Sequence, residues 1–144
     1  MMMMSEIEEL KALLPGDVED MRLLMCQLSP RLQLAAALLE QVVSAPDSHL
    51  YVVRREGHIV ACATLCVFRA PSSVKASIED VVVHADYRGQ GLGRMLLDRL
   101  LYEARALSPI EVQLTSKPAR VAANRLYQSM GFQRKETNVY RLSL

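Results

Sequence analysis

Apolar and polar positions change period several times along the chain, from about 3.6 residues to 2 and back, which predicts helices and strands in alternation. Val18, Met21, Leu24, Met25 and Leu28 fall on one stripe, predicting a helix over 18–28 with Asp17 as its cap. The LPGD at 14–17 breaks off the stretch 6–14, which reads as an edge strand. Ser29 and Pro30 open a second helix over about 31–44, rich in alanine and leucine. HLYVVRREGHIVACATLCVF at 49–68 has the form of a hairpin turning at Glu56-Gly57. A third long strand is predicted over 75–84, KASIEDVVVH, and a helix over 90–106 that Ser108-Pro109 stop. IEVQLT at 110–115 alternates as a strand, Pro118 opens a helix over 118–130 with Gly131 at its C′ position, and two short strands follow at about 132–136 and 138–143. This order of elements predicts a mixed α/β layered fold.

Composition narrows the classes of function. At 144 residues, 51% hydrophobic and 23% charged, the chain has the length of one domain, 1–144, around one core. A net charge of +1 gives nucleic acid or an anionic membrane no overall attraction, so any anion site must be local. No apolar stretch approaches the roughly 20 residues that span a bilayer, and Met1–Met4 lacks the basic and apolar regions of a signal peptide. Cys26, Cys62 and Cys66 are odd in number and form no CxxC, which points to a reducing cytoplasm. Cys62 and Cys66, an even number apart in a strand, read as small buried hydrophobes on one face. With His49, His58 and His84 scattered, no metal site is expected.

The segment YRGQGLGR at 87–94 places three glycines in five positions where a strand hands over to a helix. Each glycine near a helix start costs roughly 0.5–1 kcal/mol relative to alanine. A helix N-terminus carries unpaired N–H groups and positive potential, and glycine lets a ligand approach the main chain, so the segment reads as a cradle for phosphate or pyrophosphate. A P-loop needs Lys and then Ser or Thr where Arg94 and Met95 stand. A dinucleotide fingerprint needs glycine at position 94 and a βαβ unit around it.

Arg88-Gly89-Gln90-Gly91-Leu92-Gly93 matches the pattern R/Q-x-x-G-x-G/A. Val81-Val82-Val83 and Tyr87 precede it, a long helix follows, and Asn124, Leu126, Tyr127 and Gly131-Phe132 lie downstream. On these residues the chain resembles the GNAT superfamily of acetyl-CoA-dependent N-acetyltransferases over nearly its whole length. The resemblance implies a GNAT-type fold: a mixed, mostly antiparallel sheet of about seven strands with four helices on its two faces. It implies that Arg88 and the main chain of Gly89, Gln90, Gly91, Leu92, Gly93 and Arg94 hold the pyrophosphate of acetyl-CoA. Val81, Val82 and Val83 would pair with the pantetheine arm where the fourth and fifth strands splay, one N–H polarising the thioester carbonyl. Asn124 would contact the pantetheine. Tyr127 would protonate the departing thiolate of coenzyme A, unless it only packs with its hydroxyl at the surface.

Attack on the thioester needs a neutral amine, so a carboxylate must take a proton from the ammonium form. Glu79 and Asp80 are adjacent and face opposite sides of their strand; Glu79 shares parity with Val81 and Val83 and is the first candidate, Asp80 the second. Either has the alternative of pairing with a nearby arginine. Ile78–Val83 also resembles the same strand of glucosamine-6-phosphate N-acetyltransferases. Lys117 and Arg120 then either meet an anionic acceptor or are solvated charge at a helix start. With no cysteine beside the motif, the expected reaction is direct transfer through a ternary complex to a primary amine of a small molecule or peptide. The alternative is a non-catalytic acyl-CoA sensor, against which Tyr127 and the strand carboxylates speak. The leucine- and alanine-rich 18–44 offers packing and a dimer surface.

Overall fold

A computed structural model describes residues 6–144, which divide into a part ending at Leu114 and a part from Thr115 to Leu144. The first part contains β1 (Ile7–Glu9), α1 (Asp17–Leu28), α2 (Ala36–Ser44), β2 (Ser48–Arg55), β3 (His58–Ala70), β4 (Ser73–Val83), α3 (Leu92–Arg105) and β5 (Ile110–Gln113). The strands form one sheet in chain order, β1 to β4 antiparallel and β5 parallel to β4. β1 is the edge strand expected from 6–14, though only three residues long. Glu56 and Gly57 turn the β2–β3 hairpin with φ of 53° and 82°, both left-handed, the pairing that matches the twist of the flanking strands.

Period-two alternation in β2 to β4 feeds two cores. Leu50, Val52, Ile59, Cys62 and Val82 pack with Met21, Leu24 and Met25 of α1 and Leu39 of α2. On the other face the Arg99 guanidinium of α3 lies 5.3 Å from the centre of the Tyr51 ring, and Gly93 sits against Val83. Burial, and then Glu9 beside it, push the Tyr51 phenol up to about 12. Leu96, Leu97 and Leu100 are fully buried, as the stripe of this helix requires.

The starts of α1 and α2 depart from the sequence expectation. Gly16, with φ 91°, is the N-cap of α1, and Asp17 is its first helical residue, 1% exposed. The Asp17 carboxylate accepts the Leu14 N–H at 2.8 Å and both terminal nitrogens of Arg54 at 2.8 and 2.9 Å. Burial works to raise its pKa, but the bonds from Arg54 and Leu14 outweigh burial and hold the carboxyl below its usual range. Arg54 also donates to Glu8, so one guanidinium joins α1 to the β1–β2 end of the sheet. The second helix starts at Ala36 rather than 31, because Leu34 is drawn onto the core and tertiary packing overrides local propensity.

β4 contains an extra residue. Thr64 is paired with Glu79 and Cys62 with Val82, so two steps on β3 face three on β4, a bulge centred on Asp80 with φ 53°. The bulge breaks the parity used in the sequence reading. Glu79 shares a face with Val82 rather than with Val81 and Val83.

In the second part, α4 (Val121–Ser129) starts after Arg120 rather than at Pro118. It ends in a Schellman motif: Phe132 N–H to the Tyr127 carbonyl and Gly131 N–H to that of Gln128, both 3.1 Å, with Gly131 at φ 100°. The strands expected at 132–136 and 138–143 do not form, so among the described residues the sheet has five strands instead of about seven. Val139, Tyr140 and Leu142 are 71, 88 and 82% exposed. Alternation there marks which residues share a face, but a strand also needs a ladder, and 133–144 adds none to the sheet.

Candidate active site

The β4–β5 ladder runs only from Val74 beside Ile110 to Ser77 beside Gln113. Beyond it, residues 78–83 have no strand partner on that side among the described residues. His84 donates its N–H to the Val60 carbonyl at 2.8 Å, so across the same trans peptide the Val83 carbonyl points away from β3. Alternation then turns the N–H groups of Val81 and Val83 to the open side as well. Val82 is committed to β3 and the core, leaving two of the three valines with main-chain groups to offer.

The open edge runs directly into the glycine segment. His84 accepts the Asp86 N–H on Nδ1 at 3.0 Å, its ring meets Tyr87 edge-on at 5.9 Å, and Ala85 donates to Gln27 of α1 at 2.9 Å. Gly89 and Gly91 follow with φ of 79° and 78°, and these two positions require glycine. Gly91 is the N-cap of α3 and supplies no side chain. The first intrahelical bond is that of Met95 N–H to the Gly91 carbonyl, so the N–H groups of Leu92, Gly93 and Arg94 emerge from the helix end unpaired. Where α1 begins with Asp17, Glu19 and Asp20, the first turn of α3 has no acid and carries Arg94. That inverts the usual dipole preference and suits an anion supplied from outside. Arg94 lies 3.9 Å from Asp98, both exposed.

Gly93 has no left-handed φ, and a Cβ on it would meet only the Val83 Cγ2, at 3.8 Å. We expect Gly93→Ala to stabilise the protein by about 1 kcal/mol. Its methyl faces Val83 and not the open end of the helix, so no clash opposes the gain; thermal melting of the variant checks it.

On β4, Glu79 accepts a hydrogen bond from the Ser77 hydroxyl. Burial, and then the neighbouring Glu79, raise the Asp80 carboxyl above its ordinary pKa. No lysine or arginine lies within ion-pair distance of either carboxylate among the described residues. Cys62 lies behind the bulge, its Sγ 3.6 Å from the Asp80 carbonyl. Burial pushes this thiol up to about 12, which removes it as a nucleophile. Cys66, meant to be buried with it, is only half-buried. In the second part, Asn124 and Tyr127 are three residues apart on α4. Asn124 donates its amide to the Lys117 carbonyl at 3.0 Å, and Tyr127, 8% exposed, meets the Phe132 ring edge-on at 6.2 Å.

Sequence reasoning missed the bulge and the side-chain bonds that brace the turn. Asp at 80 was a faint signal, as one of the few residue types that tolerate left-handed backbone. A groove of about 930 Å³ opens at the other end of β4, between Ser72–Lys75 and Leu107–Glu111. It is roughly 26 Å along the strand from Val82 and is lined by neither the strand carboxylates, the three valines nor the glycine segment.

The ribosomal protein bS18-alanine N-acetyltransferase of Salmonella typhimurium is 34% identical over 58 residues, 40% of this chain and 39% of that protein. L-amino acid N-acyltransferase MnaT of Escherichia coli is 33% identical over 82 residues, 56% of this chain and 48% of that protein. The chain thus matches about half or less of the length of these curated relatives. A crystal structure of an acetyltransferase from Trypanosoma brucei superposes with a TM-score of 0.77 at 26% identity, covering 96% of this chain and 99% of that one. The acetyltransferase (GNAT) family profile matches residues 17–132, from the first residue of α1 to the Phe132 that closes α4, and the chain belongs to that family.

Proposed function

We propose that this chain transfers an acetyl group from acetyl-CoA to a primary amine by direct attack within a ternary complex. One observation carries the reading: the outward N–H groups of Val81 and Val83, which no strand covers among the described residues, lead through the glycine segment to the free N–H groups of Leu92, Gly93 and Arg94. That row suits an extended arm bearing amides and ending in a diphosphate. In this reading the Val81 N–H faces the thioester oxygen, where a donor aimed at developing negative charge contributes about 3 kcal/mol.

Asp80 is the better base. Glu79 is engaged by Ser77 and has lost the parity that favoured it, whereas the raised pKa of Asp80 brings its carboxylate closer to that of a useful base. Asp80 takes a proton from the acceptor ammonium, the amine nitrogen bonds to the acetyl carbon and the carbon–sulfur bond then breaks, the Tyr127 phenol protonates the thiolate, and the second proton that the nitrogen sheds as the amide forms restores the phenol. Two carboxylates without a cation beside them also attract an ammonium group. The relatives named above act on an amino acid and on a protein alanine, and the acceptor here belongs to the same broad class of small-molecule or peptide amines.

Thiol release from acetyl-CoA with a panel of amino acids, polyamines, amino sugars and peptides tests the assignment. Turnover with one class is expected. Because the base works only when deprotonated, kcat/KM should fall as pH drops through the raised pKa of Asp80, and Asp80→Asn should lose that limb and about a hundredfold in rate. Tight coenzyme A binding without turnover on any amine favours the sensor instead.

A further inference from the structure

Arg88 closes the turn that leads from β4 into the glycines, and its side chain bends back onto the strand. Its Nε donates to the Val83 carbonyl at 3.0 Å. That carbonyl is the one the β3 ladder leaves free, since His84 N–H on the same peptide is spent on Val60. No carboxylate lies within ion-pair distance of the guanidinium among the described residues. The bond therefore spans the junction between the two halves of the site, one Nε–H joining the start of the glycine segment to the end of the open edge.

From this geometry we propose that Arg88 is a positioning residue, whose Nε–H fixes the amides of Leu92–Arg94 relative to Val81 and Val83, and that its charge is not what cosubstrate binding requires. The proposal rests on the acetyl-CoA reading of the site. A carbonyl has two lone pairs, so the strap leaves Val83 able to accept a second bond from a ligand. The side-chain chemistry is selective. Glutamine places an N–H donor at the same ε position without charge; lysine keeps the charge but has a methylene there, with its ammonium one bond further out; methionine offers neither.

Isothermal titration with coenzyme A, on wild type and on R88Q, R88K and R88M shown by melting to be folded, separates strap from charge. R88Q should bind within about threefold of wild type, and R88K and R88M should weaken about tenfold, the loss of one hydrogen bond. In turnover the weakening should appear in KM for acetyl-CoA, with kcat at saturation little moved. R88K binding as well as wild type, or R88Q as poorly as R88M, overturns the proposal and leaves the acetyl-CoA site standing. Wild type that takes up no coenzyme A overturns the acetyl-CoA reading itself, and the strap with it.

Discussion

Asp17→Ala should destabilise the protein by about 1–3 kcal/mol, because it leaves the Leu14 N–H and both terminal nitrogens of Arg54 without their acceptor while Glu8 still holds only the Nε. A domain of this size is typically stable by only about 5–15 kcal/mol, so a large part of the folded margin rides on one carboxylate. The pair is worth this much because Asp17 is 1% exposed and bonded to Leu14 as well as to both ends of Arg54. Exposed pairs such as Arg94 and Asp98 contribute little by comparison. Asp17→Asn keeps the shape and removes the charge, which isolates the electrostatic share. The pH dependence has a definite sign. Since the folded-state pKa of Asp17 is lowered, its contribution is complete above the unfolded value near 3.8 and is lost as pH falls through the lower folded value. Denaturant unfolding of wild type and Asp17→Asn should therefore show a gap in stability at pH 7 that closes in strong acid. A gap under about 1 kcal/mol at pH 7 makes the pair incidental to stability.

Tyr127→Phe should lower kcat about a hundredfold, the usual contribution of a positioned general acid, with coenzyme A affinity nearly intact. The substitution keeps the ring on Phe132 and the Schellman close of α4, so folding is not at stake. The departing thiolate needs a proton, and the O–H of a phenol is a donor that phenylalanine lacks. Acetyl transfer rates with the best amine of the panel, measured with acetyl-CoA saturating, check it. Turnover equal to wild type removes the phenol from the mechanism and leaves the ring a packing role.

What the sequence made legible was local. The hairpin at Glu56-Gly57, the glycine segment and the stripe of α3 each carry their signal within a few residues, and each formed where it was expected. The failures share a cause of the opposite kind. Asp17 after Pro15-Gly16 reads as a cap because caps are local, whereas the partner that decides its role, Arg54, is 37 residues away. The alternation in 132–143 tells which side chains would share a face and nothing about a strand to pair with. In β4 one residue outside the period was enough to transfer Glu79 to the other face, and sequence parity has no means of counting a bulge.

That single extra residue makes the recognition surface a question of length more than of identity. The groups of Val81 and Val83 that face the opening belong to the backbone, so many side chains would present them equally well. Delete one residue between Asp80 and His84 and the bulge is lost: the three residues left between Glu79 and His84 would match Ala61, Cys62 and Ala63 one for one, and the offset that sets Glu79 apart from the outward row would go with it. A chain of this design tolerates drift in spelling along this stretch, but not in its number of letters.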